Sequence, residues 1–418
     1  TRFDIDGYRI DTAKHVNPEF WKAFLPKIIA TAKSAGKENF PIFGEVADSD
    51  IPFLASFVTE QNFPGVLDFP FQAKVSRFAK AGGGASDVAE LFNTDDFYTS
   101  PTTSAYSLAT FLGNHDMGRI GHFIEILSGS DGPQIMMERA KLANALLFTL
   151  RGGPVLYYGD EKGMTGSGGD QLARQDMFST QVEDWKTEVR IGSAQIGNAS
   201  AFDVKNPLEA NIAELQGLYK KYPALKSGAQ QVRFGLGSVL AVSRYADNQE
   251  FLIAFNSNDE AQEAIIPVST KDSGWSAISG SAKVIINSSS LNLKLAPRSW
   301  VVLKADNAFE PSSPLSITLN APKPDYRTPG WSAITAKIPG DDFVQVTFAA
   351  RQSGKAWKVL GTSDHRTTKD DYIAAGLHRV FIHNRLYKSG TTFDLVAIVT
   401  NTKGEKMVSK VIKYTVKY

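Results

Sequence analysis

The chain has 418 residues, with 45 Lys+Arg against 44 Asp+Glu and a formal net charge of +1, which excludes a nucleic-acid binder working through a basic field. Charged residues are 21% and hydrophobic residues 42%, enough apolar material for several packed cores, and no run of about 18 uncharged apolar residues offers a membrane span. Cys is absent, which removes disulfides, thiolate metal sites and Cys nucleophiles.

The chain opens on Thr1-Arg2-Phe3, with neither Met nor a signal peptide, and reads as a chain from which an upstream segment has been removed. Phe3–Ile10 reads as a strand. Asn17-Pro18 then opens a helix, Asn as N-cap and Pro at the first helical position. Phe20, Phe24, Ile28 and Ala32 recur at helical spacing beside Trp21 and Leu25, which predicts one apolar face. Apolar runs at Phe40–Gly44, Val66–Phe69, Ala109–Gly113 and Val155–Tyr158 follow. A long helix over Met136–Leu150 stops at Arg151-Gly152-Gly153-Pro154. Strands alternating with helices predict a parallel sheet with right-handed crossovers.

From about Gln231 the helical period is lost. Short strands are predicted at Val239–Arg244, Phe251–Asn256, Ala264–Pro267, Val284–Ile286, Leu291–Leu295 and Trp300–Leu303, which reads as a small all-β sandwich. Asp306–Pro314 has the composition of a linker. A second sandwich, immunoglobulin-like in length, follows, with its clearest strands at Phe343–Ala349, Trp357–Leu360, Thr392–Thr400 and Val408–Val416. The division is therefore 1–230, 231–308 and 309–418.

Three acidic residues sit where apolar runs end: Asp11 after Gly7-Tyr8-Arg9-Ile10, Glu45 after Pro41-Ile42-Phe43-Gly44, and Asp116 after Phe111-Leu112-Gly113-Asn114-His115. In parallel α/β folds the carboxyl ends of the strands form the active face. Glu45 follows Asp11 by 34 residues and Asp116 follows Glu45 by 71, about one and two strand-helix units, so the three carboxylates are expected in one cleft. Carboxylates paired across a cleft cleave acetals, one as acid, one as nucleophile or electrostatic stabiliser. Strand alternation puts Arg9 on the side of Asp11, where a fixed cation keeps a nucleophilic carboxylate ionised.

At these residues the chain resembles the α-amylase family, glycoside hydrolase family 13. Gly7-Tyr8-Arg9-Ile10-Asp11-Thr12-Ala13-Lys14-His15 is similar to its second signature region, Phe43-Gly44-Glu45-Val46 to its third and Phe111–Asp116 to its fourth. Gly153–Glu161 resembles the eighth barrel strand and its exit, and Gly169–Arg174 the loop that follows. The resemblance covers residues 1 to about 305. It implies the C-terminal part, strands 4–8, of a TIM (β/α)8 barrel followed by two all-β sandwich domains. It also implies a retaining hydrolase of α-1,4-linked glucans with Asp11 as nucleophile, Glu45 as acid/base and Asp116 stabilising the transition state. Arg9 and His115 would bond the sugar at the cleavage point, Lys14 and His15 would line the leaving-group side, and Asp170 and Arg174 would touch sugars further along the non-reducing side. The alternatives are a cyclomaltodextrinase, neopullulanase or debranching relative, or a catalytically inactive glucan-binding homologue.

The resemblance raises a structural Ca²⁺, toward which this chain would offer the backbone carbonyl of His15. It also leaves three barrel strands, the first signature region and an inserted domain unaccounted for. The expected partners are therefore an α-glucan and the missing N-terminal barrel segment, from the same precursor or as a second chain pairing with the edges at Phe3–Ile10 and Val155–Tyr158. No nucleic-acid or membrane partner is expected. Tyr157 and Tyr158 read as barrel core, and His122, His365, His378 and His383 carry no metal-ligand spacing. Trp331, Trp357 and Tyr326 could form a sugar-stacking platform, Trp357 being assigned instead to the sandwich core. The last module resembles immunoglobulin-like appendages of secreted bacterial hydrolases, which implies a secreted or periplasmic bacterial protein.

Overall fold

The computed structural model describes residues 3–80, 83–166, 168–311, 315–325, 328–369 and 374–417. They form two compact units, each assembled from separate stretches of sequence: 1–69, 92–109 and 310–418 in the first, and 70–91 and 110–309 in the second.

The first unit begins with a parallel sheet of β1 (Tyr8–Ile10), β2 (Ile42–Gly44) and β3 (Gly65–Val66), in that order, with Arg9 opposite Phe43 and Phe43 opposite Gly65. Leu67 continues it by a parallel bridge to Ala109. The predicted strand over Phe3–Ile10 is confined to its last three residues, and Tyr8 is 37% exposed. Between β1 and β2 runs α1 (Pro18–Ser34). Its Pro at N1 behaves as expected, but the Asn17 side chain makes no capping bond. Its buried face is Trp21, Leu25 and Ala32, whereas Phe20 is 49% exposed. Phe24 and Ile28 pack partly buried against the same core, so of the expected apolar face Phe20 alone turns outward. Trp21 and Leu25 join Ile42, Leu54, Phe57, Phe63 and Val66 in one core, with α2 (Ile51–Thr59) supplying Leu54 and Phe57.

The C-terminal sandwich belongs to this unit. Trp331–Lys337 pairs with Leu377–His383, and Val344–Arg351 lies between Lys358–Ser363 and Thr392–Asn401. Val346, Phe348, Val380, Leu395 and Val399 form its core. The predicted strand Val408–Val416 is two strands, Lys406–Val408 and Ile412–Thr415, both paired to Thr392–Asn401. The sandwich is seated on the α/β part by aromatic and ionic contacts. The Phe97 ring stacks on Phe381 at 3.8 Å, the Trp331 ring stacks on His383 at 4.5 Å, and His383 Nδ1 lies 2.9 Å from Glu60 Oε1. Beneath them Asp96, 1% exposed, accepts from Arg379 Nε at 3.0 Å and faces His365 Nε2 at 3.2 Å. Trp357 does not fill the core as expected: it is 38% exposed, with the Arg351 guanidinium over its ring at 4.6 Å. Tyr326 lies outside the described residues.

In the second unit the helix Pro133–Thr149 packs on Pro207–Lys221, whose Asn206 and Glu209 close a capping box. The N–H of Val155 donates to the Thr110 carbonyl at 2.8 Å, but the strand is Gly153–Pro154, and Val155–Tyr158 leaves it as irregular chain. A five-stranded sheet (Trp275–Gly280, Ser299–Ala305, Gln249–Asn256, Val239–Ala246, Ala229–Leu236) faces a three-stranded one (Lys283–Ile286, Ser290–Leu295, Gln262–Pro267). Leu252, Ala254, Ile266, Leu293 and Val301 lie between them. The six strands predicted here are all present; Ala229–Leu236 and Trp275–Gly280 complete the sandwich.

Candidate active site

The carboxyl ends of β1 and β2 are zipped together. The Ile10 carbonyl accepts from Glu45 N at 2.8 Å, and the Glu45 carbonyl accepts from Ala13 N at 2.9 Å. β2 comes this close because Gly44 has no side chain: a Cβ there would sit 2.7 Å from the Phe63 ring and 3.1 Å from Ala13 Cβ. Directly after Asp11 the chain turns through Thr12 in the left-handed region, φ 47°, a conformation a β-branched residue rarely adopts and one typical of functional sites. The turn brings Thr12 N to 3.2 Å from Glu45 Oε2. Arg9 spans both carboxylates, with Nη1 2.6 Å from Asp11 Oδ1 and Nη2 3.1 Å from Glu45 Oε2. The two acids differ in setting: the Asp11 side chain is 63% exposed and that of Glu45 12%.

Lys14 lies beside them, donating to the Ala47 carbonyl at 2.5 Å, with Asp48 at 3.9 Å. His15 ends the turn Ala13–His15 and is exposed. Calcium takes six to eight oxygen ligands. Among the described residues no group of three or more His, Cys, Asp or Glu gathers as a metal cage.

The second unit carries the other predicted residues as one cluster. Asn114 Oδ1 accepts from the N–H groups of Asp116 and Met117 at 3.0 and 2.7 Å, closing a tight turn. The Asp116 carboxylate faces His115 Nε2 at 3.2 Å and Arg174 Nη2 at 3.1 Å. Arg174 also pairs with Asp170 at 2.8 Å, and Asp170 N donates to the Asp116 carbonyl at 3.1 Å. Thus Arg9, Asp11, Lys14 and Glu45 assemble in one unit, and His115, Asp116, Asp170 and Arg174 in the other.

Behind this second cluster stands a buried polar network that the sequence reading missed. Arg119, 0% exposed, donates to Gln175 Oε1 at 2.6 Å, the Tyr158 carbonyl at 2.5 Å and Asp160 Oδ1 at 3.2 Å. Its guanidinium lies 4.3 Å from the Tyr157 ring centre and 5.0 Å from that of Tyr158. Tyr157 and Tyr158 are therefore not barrel core; Tyr158 is 43% exposed, and their hydroxyls donate to the carbonyls of Ala173 and Gln175. Burial pushes the Asp160 carboxyl up to about 7 against the pull of Arg119. The one available signal was the position of Arg119, three residues after Asp116.

A family model described as alpha amylase, catalytic domain, matches residues 1–190. An alpha-amylase of Streptomyces lividans is 36% identical over 374 residues, 88% of this chain and 40% of that protein. A cyclomaltodextrinase of Geobacillus thermopakistaniensis is 27% identical over 64% of this chain and 40% of its own length. The solved alpha-amylase of Geobacillus thermoleovorans, complexed with acarbose, superposes with a TM-score of 0.56 at 23% identity, over 73% of this chain and 60% of that one. The chain spans 40% of the length of both curated relatives. Among the described residues no helix is long and apolar enough to cross a membrane.

Proposed function

The chain belongs to the α-amylase family, and we propose that it carries the catalytic carboxylates of a retaining hydrolase of α-1,4-linked glucans, of the α-amylase type. The observation that carries this reading is the single guanidinium of Arg9 joined to both Asp11 and Glu45. Asp11, exposed and paired to a cation, is suited to attack the anomeric carbon. Glu45, shielded from solvent and oriented by the Thr12 N–H and Arg9, is assigned the acid/base role, giving a proton to the departing oxygen and then taking one from the water that releases the glycosyl-enzyme. Asp116, with His115, Asp170 and Arg174 around it, supplies charge and hydrogen bonds for the sugar ring and its neighbours. Lys14 and His15 are assigned to the leaving-group side.

We place strands 4–8 of an eight-stranded barrel in residues 1–230, with the two sandwiches at 231–308 and 309–418. The missing three strands are assigned to a further segment of the same protein or to a second chain. Two features support this: β1 pairs on one side with β2, and a small groove lined by Ile5, Tyr8, Ile28, Ala32 and Phe40 runs beside it. Secretion by a bacterium is part of the same reading.

Cyclomaltodextrinase-type specificity is the second reading, supported by the Geobacillus thermopakistaniensis relative. The test is product analysis on starch, pullulan and cyclodextrins, using this chain together with the three strands it is proposed to lack. Linear maltooligosaccharides of retained configuration from starch are expected. Faster opening of cyclodextrins than of starch would favour the second reading, and a folded protein that binds glucans without cleaving them would make it an inactive homologue.

A further inference from the structure

We infer that Arg119, with Tyr157 and Tyr158, is a positioning clasp that sets Arg174 for its sugar, a role that rests on the glucan-hydrolase reading above. Arg174 itself is held by little. Its ion pairs to Asp116 and Asp170 are exposed, with side chains 46–70% accessible, and exposed pairs contribute too little to define a geometry. Its backbone is another matter. Ala173 is 0% exposed and Gln175 1%. The Ala173 carbonyl accepts from Tyr157 Oη at 3.0 Å, and the Gln175 carbonyl from Tyr158 Oη at 2.9 Å. The Gln175 side chain is gripped twice, Oε1 by Arg119 Nε at 2.6 Å and Nε2 by Glu188 Oε2 at 2.8 Å. Residues on both sides of Arg174 are thus fixed from below while its side chain is left in the open.

The clasp ties three pieces of chain together. Arg119 ends the turn that displays His115 and Asp116 and stands at the N-cap of the helix Ile120–Ser128. Tyr157 and Tyr158 follow the strand Gly153–Pro154. Between these pieces the guanidinium lies against both rings, which meet edge-on at 4.8 Å. Gly159 is required at the crossing: φ is +87°, and a Cβ would meet Met164 Sδ at 2.3 Å and Arg119 Nη1 at 3.3 Å. A buried arginine bonds Gln175, a carbonyl and a carboxylate from a fixed planar fork, a geometry that the compact ammonium of a lysine does not reproduce. The pattern is that of supporting groups locking a functional residue whose own contacts are weak.

The double variant Tyr157→Phe, Tyr158→Phe tests this with the packing kept and only the two hydroxyls removed. Two readouts are taken in the active protein: amide hydrogen exchange over residues 168–176, and KM and kcat on a maltooligosaccharide series. Faster exchange over that segment is expected, with KM for the longer oligosaccharides raised about five- to thirty-fold, as two lost hydrogen bonds imply, and kcat changed by no more than about twofold. Arg119→Lys should reproduce the effect. Unchanged exchange would overturn the clasp, and so would equal losses of kcat on short and long substrates. Arg174→Ala separates the two layers. If it leaves KM on long substrates unchanged, the assignment of Arg174 to sugar binding fails, and the exchange measurement still decides whether the clasp orders the loop.

Discussion

Arg9 lies within 3.1 Å of Glu45 while its other terminal nitrogen lies 2.6 Å from Asp11, so one planar group fixes the relative placement of two acids that belong to neighbouring strands. Arg9→Met should lower kcat/KM by about 10²–10³, the range seen when one preorganised donor is removed from charge developing in a transition state. Arg9→Lys should not restore it, because a single ammonium cannot serve two carboxylates in the geometry of a fork. Steady-state kinetics on maltoheptaose decide the matter, and a lysine variant with parental turnover would show that only charge is needed.

Glu45→Gln keeps the shape and the Thr12 contact but has no proton to give. A loss of about 10²–10⁴ in kcat on oligosaccharides is expected. Aryl glucosides with acidic leaving groups need little protonation in the first step, so their glycosylation step should fall far less. Products of the parent enzyme should keep the α configuration when followed by proton NMR, as a nucleophile and acid/base pair of the retaining type gives. Inverted products would remove Asp11 from its role as nucleophile.

The elements that carry these residues were legible because their signals are local. Apolar runs placed Asp11 and Glu45 directly after strands, and alternation put Arg9 beside Asp11, whereas Asp116 stands in a turn well beyond the short strand Ala109–Thr110. Strand lengths were overestimated: residues 3–7 and 155–158 are apolar in pattern, yet β1 holds three residues and Gly153–Pro154 two. Apolar patterning reports burial and β propensity, not which backbone groups find partners. The Arg119 network was not legible. It joins positions 119, 157–160, 173–175 and 188 through contacts that no periodicity records, and a Tyr-Tyr pair after a strand reads as core unless its hydroxyls are seen to bond. The placement of Trp357 failed for a related reason. Its flanking sequence fits a strand, but the strand begins at Lys358 and leaves the indole at its edge against Arg351.

Lys14 is anchored to the Ala47 carbonyl, which occupies one of the three donors of its ammonium and leaves the others for a sugar on the leaving-group side. Lys14→Ala and His15→Ala should each raise KM for long linear substrates several-fold, about the value of one hydrogen bond, and leave aryl glucoside hydrolysis close to parental. If Lys14→Ala depresses both substrate types equally, the residue holds the turn at Ala47 and does not contact substrate.

Two histidines in the C-terminal sandwich make its stability depend on pH in opposite senses. Burial acts to lower the pKa of His365, but Asp96 at 3.2 Å and Asp364 at 3.3 Å outweigh it and hold the ring well above 6.5. Its contribution is complete below about pH 6.5, the value in the unfolded chain, and is lost as pH rises through the folded value. His378, 1% exposed, is pulled down to about 3 by burial and by the nearby cations Arg366 and His365. It is carried neutral in the fold while the unfolded chain takes up a proton, so stability is lost as pH falls from about 6.5 toward 3. Asp96 adds to the acid side: burial alone would raise it, His365 and Arg379 hold it below 3.8, and its contribution disappears only as pH falls through that depressed value. Stability of this unit should therefore peak near pH 6.5 and decline on each side by up to about 1.4 kcal/mol per pH unit. Urea unfolding across about pH 4 to 9 should show that peak. His365→Gln should flatten the alkaline limb and His378→Gln the acid limb. An alkaline limb that survives His365→Gln would mean that another group titrating above about pH 6.5 produces it, and would remove His365 from that role.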